Sequence, residues 1–161
     1  MMRAGAPGAV GGGEERRQPT PHRVVNPDGL APPVGFAHAV VATPGRTVYL
    51  GGQAAQGPDG VIRGATLAEQ FDVAAGNLVA ALAAAGGSPE HLVSLHIYTS
   101  DVDDYRATRG ELGAIYRRHL GRHYVATALF EVAGLFDPAA KVELVGVAVV
   151  PDQDPDREEH P

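Results

Sequence analysis

Residues 124–150 read YVATALFEVAGLFDPAAKVELVGVAVV, and this stretch decides the fold. Two apolar runs, near 124–132 and 141–150, flank a turn at Asp137-Pro138 and predict two strands. A single carboxylate, Glu143, lies inside the second run. An acid in a strand of Val, Leu, Gly and Ala must either face water or be buried for a reason.

The last strand is apolar on both faces. One face carries Val142, Leu144, Gly146, Ala148 and Val150, and the other carries Glu143, Val145, Val147 and Val149. The chain offers only two good helices to cover a sheet, so one apolar face is left bare. A bare apolar face implies a partner subunit, and we therefore expect a homo-oligomer.

The elements before this stretch complete an α+β order. A capping box at 66–69 starts a helix that ends at Gly86-Gly87, residues 93–99 alternate as a strand, and Asp101 caps a second helix. Short apolar runs at 38–42 and 47–50, separated by a turn-type sequence, predict a hairpin. The segments with a clear pattern follow the order β-β-α-β-α-β-β. We expect two helices on one face of a mixed sheet, six-stranded in all.

The composition limits the function. The chain has 161 residues, a net charge of -6 and no cysteine. An acidic balance argues against nucleic acid as a partner, and no apolar run reaches the roughly 18 residues that span a membrane. A cytoplasmic location is compatible with the lack of cysteine. We expect disordered tails at 1–22 and 152–161 around one domain at 23–151.

Three features are candidates for chemistry. Glu143 can hold a water or move a proton, or it can simply pair with Lys141 or with an arginine of a neighbour. Backbone N–H groups at Gly51-Gly52-Gln53 can meet a substrate oxygen, although a bulge or turn is the commoner reason for such glycines. The seven histidines show no metal-ligand spacing, and His22, His91 and His160 are expected to be exposed. Arg117, Arg118 and Arg122 are expected to provide favourable charge at the end of the second helix.

Several short motifs, taken together, resemble the RidA/YjgF family, the reactive-intermediate imine deaminases. The resemblance covers about 25–150. It rests on the order and spacing of Asn26–Leu30, Gly35–Val40, Val48–Gln53, Asn77-Leu78, Leu82–Gly86, Ile97–Asp101, Glu131–Leu135 and Lys141–Glu143.

The resemblance implies a chorismate-mutase-like fold and a homotrimer whose sheets form a central barrel, with three clefts between subunits. For the deaminase branch it implies hydrolysis of enamines and imines, such as 2-aminoacrylate, to a 2-oxo acid and ammonia. It implies no cofactor and no metal.

Carried over residue by residue, the family's site is only partly present. Its water-holding glutamate falls on Glu143, and the glycine whose N–H contacts substrate falls on Gly52. A neighbouring serine becomes Gly51, and a pocket tyrosine becomes Phe36. The Pro-Ala-Arg-Ser run of the deaminase branch reads Val-Ala-Thr-Ala here, so Thr127 replaces the arginine that binds the substrate carboxylate.

The missing arginine changes the expected activity. A charge-assisted contact of about 1.5–3 kcal/mol is absent, and only Arg109 on the second helix is a candidate replacement. Leu129 completes the expected substrate-binding set. We expect an Arg-less branch that acts poorly on 2-aminoacrylate and takes a neutral or differently charged substrate, such as another small imine, enamine or related carbonyl compound. The alternative is a non-catalytic trimer that binds a ligand or a partner.

Overall fold

The computed structural model describes residues 20–152, which form an α+β unit. The predicted strands and helices are all found, whereas a strand at Arg23–Val25 and a short 3₁₀ turn at Pro89–His91 were not predicted. Its elements are β1 (Arg23–Val25), β2 (Ala39–Val41), β3 (Gly45–Gln53), α1 (Leu67–Ala84), β4 (Leu92–Thr99), α2 (Val102–Leu120), β5 (Ala126–Glu131) and β6 (Val142–Pro151).

The six strands form two sheets rather than the single mixed sheet expected. The larger has the order β3-β6-β4-β5, in which β4 and β5 are parallel and the other pairs are antiparallel. The smaller joins β1 to β2. An isolated bridge from Ala37 to Ala126, with a hydrogen bond of 2.9 Å from Ala37 N to Val125 O, links the segment before β2 to the edge strand β5.

The predicted hairpin between the runs at 38–42 and 47–50 is wrong. The first run pairs with Arg23–Val25, whereas the second belongs to β3 and pairs with β6 from Gly45 to Gln53. The physical reason is length, because a three-residue strand offers few ladder bonds, while β6 offers ten residues with an apolar inner face.

Helix α1 begins at the predicted capping box. The Thr66 hydroxyl accepts from Glu69 N at 3.2 Å, and Glu69 Oε2 accepts from Thr66 N at 3.0 Å. The helix ends before Gly86, which has a φ of +82°, and Gly87 N donates to Leu82 O at 2.9 Å. A positive φ at this position favours glycine, as the sequence indicated.

Both helices cover the same face of the four-stranded sheet. The side chains between them are fully buried and apolar, as the alternation in β4 and β6 predicted. This core includes Leu67, Phe71, Leu78, Leu82, Leu92, Leu95, Ile97, Leu112, Leu120, Val142, Leu144 and Ala148.

The opposite face of the sheet has no covering element among residues 20–152. Tyr49 is 81% exposed there and Phe130 is 43% exposed, while Val145 and Val147 are half-buried. We call this surface the open face: Thr47, Tyr49, Ser94, His96, Tyr98, Ala126, Ala128, Phe130, Glu143, Val145, Val147 and Val149.

The described contacts of the domain start at Thr20. Its hydroxyl donates to Glu90 O at 2.9 Å, and His22 is 5% exposed, so the expectation that His22 is solvated is wrong. Residues 1–19 and 153–161, which hold most of the two predicted tails, lie outside the described range. Within that range no helix has the length and hydropathy to cross a membrane.

Candidate functional site

Glu143 lies against a β-bulge that contains Gly52. Strand β3 advances from Leu50 to Gln53 while β6 advances only from Gly146 to Leu144, so β3 carries one extra residue at Gly51-Gly52. A Cβ atom built on Gly52 would collide with Glu143 Oε1, and it would lie 2.7 Å from Cδ and 3.1 Å from Cγ. Because Gly52 has no side chain, the carboxylate of Glu143 can pack directly on the backbone of the bulge.

The carboxylate of Glu143 is half-buried on the open face. In the part of the chain that the structure describes, Glu143 forms no ion pair with Lys141. Pairing with Lys141 therefore does not explain why this acid lies in the strand. Its neighbour across the strands is Tyr98 of β4. The Tyr98 ring stacks on Phe130 at 5.3 Å, and His96 meets Phe130 edge-on at 5.7 Å. Glu143 therefore lies beside an aromatic cluster.

Thr127 and Leu129 lie on the face of the sheet opposite to Glu143. Thr127 is in register with Leu95 of β4, whereas Glu143 is in register with Tyr98. Since successive side chains alternate, positions three apart on β4 point to opposite faces. The structure therefore brings Glu143 to Gly52, but it does not bring Thr127 to Glu143 within one protomer.

Thr127 lines a cavity of about 590 Å³ between α2 and the edge strand β5, and Arg109 lines the same cavity. The Thr127 hydroxyl donates to Val125 O at 3.0 Å, which leaves its oxygen able to accept a further bond. The cation that the sequence suggested as a replacement for the missing arginine is thus next to the replaced position. Arg117 lines this cavity as well, where the sequence had indicated only a role at the helix C-terminus.

Phe36, Gly51 and Leu129 lie at other places. Phe36 lines a groove of about 330 Å³ that also includes Thr127 and His96, and a separate cavity of about 450 Å³ that includes His22 and His123. Gly51 is exposed, and a Cβ there would meet nothing within 4 Å. Leu129 is 38% exposed on β5.

Two buried or half-buried amides, Gln70 and Asn77, support the site. No sequence pattern indicated the role of Gln70, and Asn77 was noted only as part of the family resemblance. Gln70 is 2% exposed; its Nε2 donates to Ala139 O at 2.9 Å, and its Oε1 accepts from Lys141 N at 2.7 Å. These bonds tie α1 to the segment that enters β6 just before Glu143. Asn77 donates to Ala54 O at 3.0 Å and to Gln56 O at 2.9 Å, which fixes the loop after the bulge.

Two buried histidines anchor the start of the domain and of β5. His123 Nε2 donates to Leu92 O at 2.8 Å, and His22 Nε2 donates to His91 O at 3.1 Å. Burial lowers the pKa of His123 from its usual 6.5, because the charged imidazolium loses hydration. No group of three or more His, Asp or Glu residues is arranged to hold a metal ion within residues 20–152.

His119 belongs to a contact between the two helices. Its Nε2 lies 2.5 Å from Asp72 Oδ1, which also accepts from Arg118 Nη2 at 2.5 Å. The hydrogen bond to His119, followed by that to Arg118, lowers the pKa of Asp72. His119, Arg118 and Asp72 therefore join α2 to α1 and do not contribute to the cavity at Thr127.

The comparisons with known proteins agree on one family. A family model described as Endoribonuclease L-PSP matches residues 28–150. A crystal structure of a protein of unknown function of the conserved Rid protein family from Yersinia pestis is 30% identical, with a TM-score of 0.71 over 80% of this chain and 98% of that chain. No curated protein matches.

Two further solved structures show the same fold at lower identity. A putative endoribonuclease from Thermotoga maritima is 26% identical, with a TM-score of 0.59 over 80% of this chain and 97% of that chain. RidA from an Antarctic Psychrobacter bacterium is 25% identical, with a TM-score of 0.58 over 80% of this chain and 99% of that chain.

Proposed function

The chain belongs to the Endoribonuclease L-PSP family, also called the YjgF/RidA family, and on this premise we propose that it acts on a small imine, enamine or related carbonyl compound. The reaction is water addition or proton transfer at a cleft between subunits, without a cofactor. The single observation that carries this proposal is the packing of Glu143 on the side-chain-free bulge at Gly52.

Glu143 and Gly52 together suit the hydrolysis of a C=N bond. A carboxylate within reach of a water accepts its proton as the oxygen bonds to the imine carbon. The same proton then passes to nitrogen and gives a carbinolamine. The carboxylate next moves the O–H proton of the carbinolamine to nitrogen as the C=O bond forms and the C–N bond breaks, so that ammonia and a carbonyl compound leave. A Gly52 N–H that points at the reacting group would stabilise the charge that develops on it.

The opposite orientations of Glu143 and Thr127 support a site made by two subunits. One protomer presents the carboxylate on the open face and the Thr127 cavity on the helix side. If both serve one substrate, the second half must come from another copy. The open face, with Tyr49 81% exposed and Phe130 43% exposed, is the surface that such a copy would cover. A homotrimer satisfies this requirement.

The replacement of the arginine by Thr127 favours one alternative, a trimer that binds a ligand or partner without catalysis. Thr127 and Phe36 remove a cation and a hydroxyl from the family's set, which leaves Glu143 without its usual companions. Endoribonuclease activity, which the family's description names, has little support here because the chain carries a net charge of -6.

The test generates imines from a panel of amino acids with an amino-acid oxidase and measures ammonia release with and without the protein. Glu143→Gln removes the base, and Glu111→Gln, at an exposed position on α2, is the matched control. We expect acceleration that is lost at least 100-fold in Glu143→Gln and kept in Glu111→Gln. Equal rates in wild type and Glu143→Gln would refute the chemistry, and no acceleration with any imine would favour the binding protein.

A further inference from the structure

The cavity between α2 and β5 has apolar walls and a charged rim. Its accessible apolar surface comes from Val34 and the half-buried rings of Tyr105 and Tyr124, because Phe71, Ile97 and Leu112, which also line it, are only 1%, 4% and 2% exposed. Arg109 and Arg117 lie on the exposed side of α2, two turns apart on one face of the helix. An apolar pocket with a few convergent polar groups is the usual form of a small-molecule site.

The two arginines at the rim have no partner. Neither guanidinium has a carboxylate or a side-chain hydrogen bond within residues 20–152. By contrast, Arg106 on the same helix binds Asp103 at 2.8 Å, and Arg118 binds Asp72. Two unpaired cations at the mouth of an apolar cavity point to an anionic ligand, because a guanidinium binds a carboxylate with charge-assisted bonds.

Glycines in α2 explain why space is left under the helix. Gly110 lines the cavity, and a Cβ there would meet nothing within 4 Å. A Cβ on Gly113 would approach Arg117 Nη1 to 3.4 Å. The rings of Tyr116 and Tyr124, which stack at 5.5 Å, form an aromatic wall beside Arg117. The cavity therefore has room, an aromatic wall and two cations on its helix side.

The volume decides the size of the ligand. At about 590 Å³ the cavity falls in the range of roughly 300–1,000 Å³ that holds ligands of drug size. A compound as small as 2-aminoacrylate would leave most of it empty. An apolar body about as large as a phenyl ring fills more of this volume and contacts the tyrosine rings of the lining.

We propose that this cavity binds a carboxylate compound with an aromatic or similarly bulky apolar body. Its carboxylate lies at Arg109 and Arg117, and its body packs on the rings of Tyr105 and Tyr124 and on Val34. The inference rests on the proposed function in one respect, since Thr127 belongs to both, and it names the class of substrate. The missing strand arginine is replaced by arginines on the helix, which bind the anion at a different place.

The experiment measures the dissociation constants of three probes for the full-length protein by isothermal titration calorimetry. The probes are 3-phenylpropanoate, its neutral isostere 3-phenylpropanamide, and propanoate, which lacks the ring. We expect 3-phenylpropanoate to bind at least tenfold more tightly than either of the others. Equal affinity for the amide would exclude recognition of the anion, and equal affinity for propanoate would exclude the apolar body.

Substitutions on α2 locate the binding. Arg109→Gln should weaken 3-phenylpropanoate at least tenfold, whereas Arg106→Gln, outside the cavity, should leave its affinity unchanged. Gly110→Leu should weaken the same probe by filling the open space, without loss of thermal stability because leucine favours the helix. Unchanged affinity in both Arg109→Gln and Gly110→Leu would overturn the assignment.

Calorimetry and the ammonia-release assay together separate this inference from the proposed function, because probe binding does not require hydrolysis. Probe binding without imine hydrolysis would retain the cavity and refute the catalysis. Hydrolysis of 2-aminoacrylate without probe binding would do the reverse.

Discussion

The contact between Glu143 and Gly52 predicts the outcome of the substitution Gly52→Ala. The added methyl group would collide with Glu143 Oε1 and lie 2.7 Å from Cδ, whereas ordinary contacts of a Cβ atom fall at 3.4–4 Å. The carboxylate must therefore move by about 1 Å, since the backbone of the bulge is held by β6 and the carboxylate end of a half-buried side chain is free to turn.

We expect Gly52→Ala to lower the free energy of unfolding only slightly and to lower the rate of imine hydrolysis strongly. Turning Glu143 away from its rotamer costs about 0.5–1.5 kcal/mol. This cost corresponds to a fall in melting temperature of about 2–6 °C. A displacement of about 1 Å at a reacting group lowers a rate by roughly 100-fold. Gly52→Ala should therefore leave a folded protein with little imine hydrolysis.

The neighbouring glycine and Glu143 itself provide the controls. Gly51→Ala places a methyl group where nothing lies within 4 Å, so it should change neither stability nor rate by more than about twofold. In a Glu143→Ala background the clash is gone, and Gly52→Ala should then cost nothing in urea denaturation. The two substitutions form a double-mutant cycle whose coupling energy measures the contact.

Additive effects of Gly52→Ala and Glu143→Ala on the free energy of unfolding would refute this prediction. If Gly52→Ala destabilises the protein equally with and without the Glu143 side chain, the carboxylate does not pack on Gly52 in solution. In that case the bulge would be a feature of the sheet alone, and the main observation behind the proposed function would be lost.

Three further predictions concern other parts of the molecule. Burial lowers the pKa of His123, so as the pH falls below 6.5 the unfolded chain takes up a proton before the folded protein does. The free energy of unfolding should therefore decrease from pH 6.5 down to the pKa of the folded state. His123→Gln, which keeps a donor for Leu92 O, should remove this decrease when urea denaturation at pH 7.5 and at pH 5 is compared. Val147→Arg on the open face should convert the oligomer to a monomer in analytical ultracentrifugation, whereas Ala114→Arg at an exposed position of α2 should not, and an unchanged mass for Val147→Arg would contradict the proposed interface. Thr127→Arg should raise the rate with 2-aminoacrylate by roughly 10- to 100-fold, the worth of one charge-assisted contact of about 1.5–3 kcal/mol; no gain would mean that position 127 does not face the substrate.

Sequence patterns predicted those parts of the fold that depend on residues close together in the chain. The capping box at Thr66 and the stop at Gly86 involve residues a few positions apart, so α1 was predictable from sequence. The two faces of β6 were predictable for the same reason, because alternation fixes them once the strand is recognised. These two predictions are confirmed at the level of single residues.

Contacts between distant segments were not predictable from the same patterns. Strands β1 and β2 have three residues each, too few to show a period, and this is why the hairpin was predicted instead of their pairing. The burial of His22 depends on His91, 69 positions away. A hydrogen bond over that distance has no local signal, and so His22 was expected to be exposed.

The sequence allowed the residues of the candidate site to be named, but it did not allow their positions relative to one another to be predicted. Glu143 and Gly52 were candidates from the residues themselves, and Thr127 was named from the resemblance. The collision that Gly52 avoids, however, follows only from a one-residue shift between β3 and β6. Likewise, Arg109 joins Thr127 only because α2 lies over the edge strand β5. Strand register and the position of a helix depend on tertiary structure, and they determine which of these residues lie close enough to act together.

Side chains alternate between the two faces along β4, and this alternation affects how such a site can evolve. Thr127 registers with Leu95 and Glu143 with Tyr98, so the two halves lie on opposite faces of one sheet in every copy. On the proposed function each half changes independently, because substitutions near Thr127 do not touch the carboxylate of the same chain. The helix side can then lose its strand arginine and recruit Arg109 while the bulge at Gly52 continues to hold Glu143. The sequence shows Glu143 together with threonine at position 127, and on the proposed function this combination favours a changed substrate over a lost reaction.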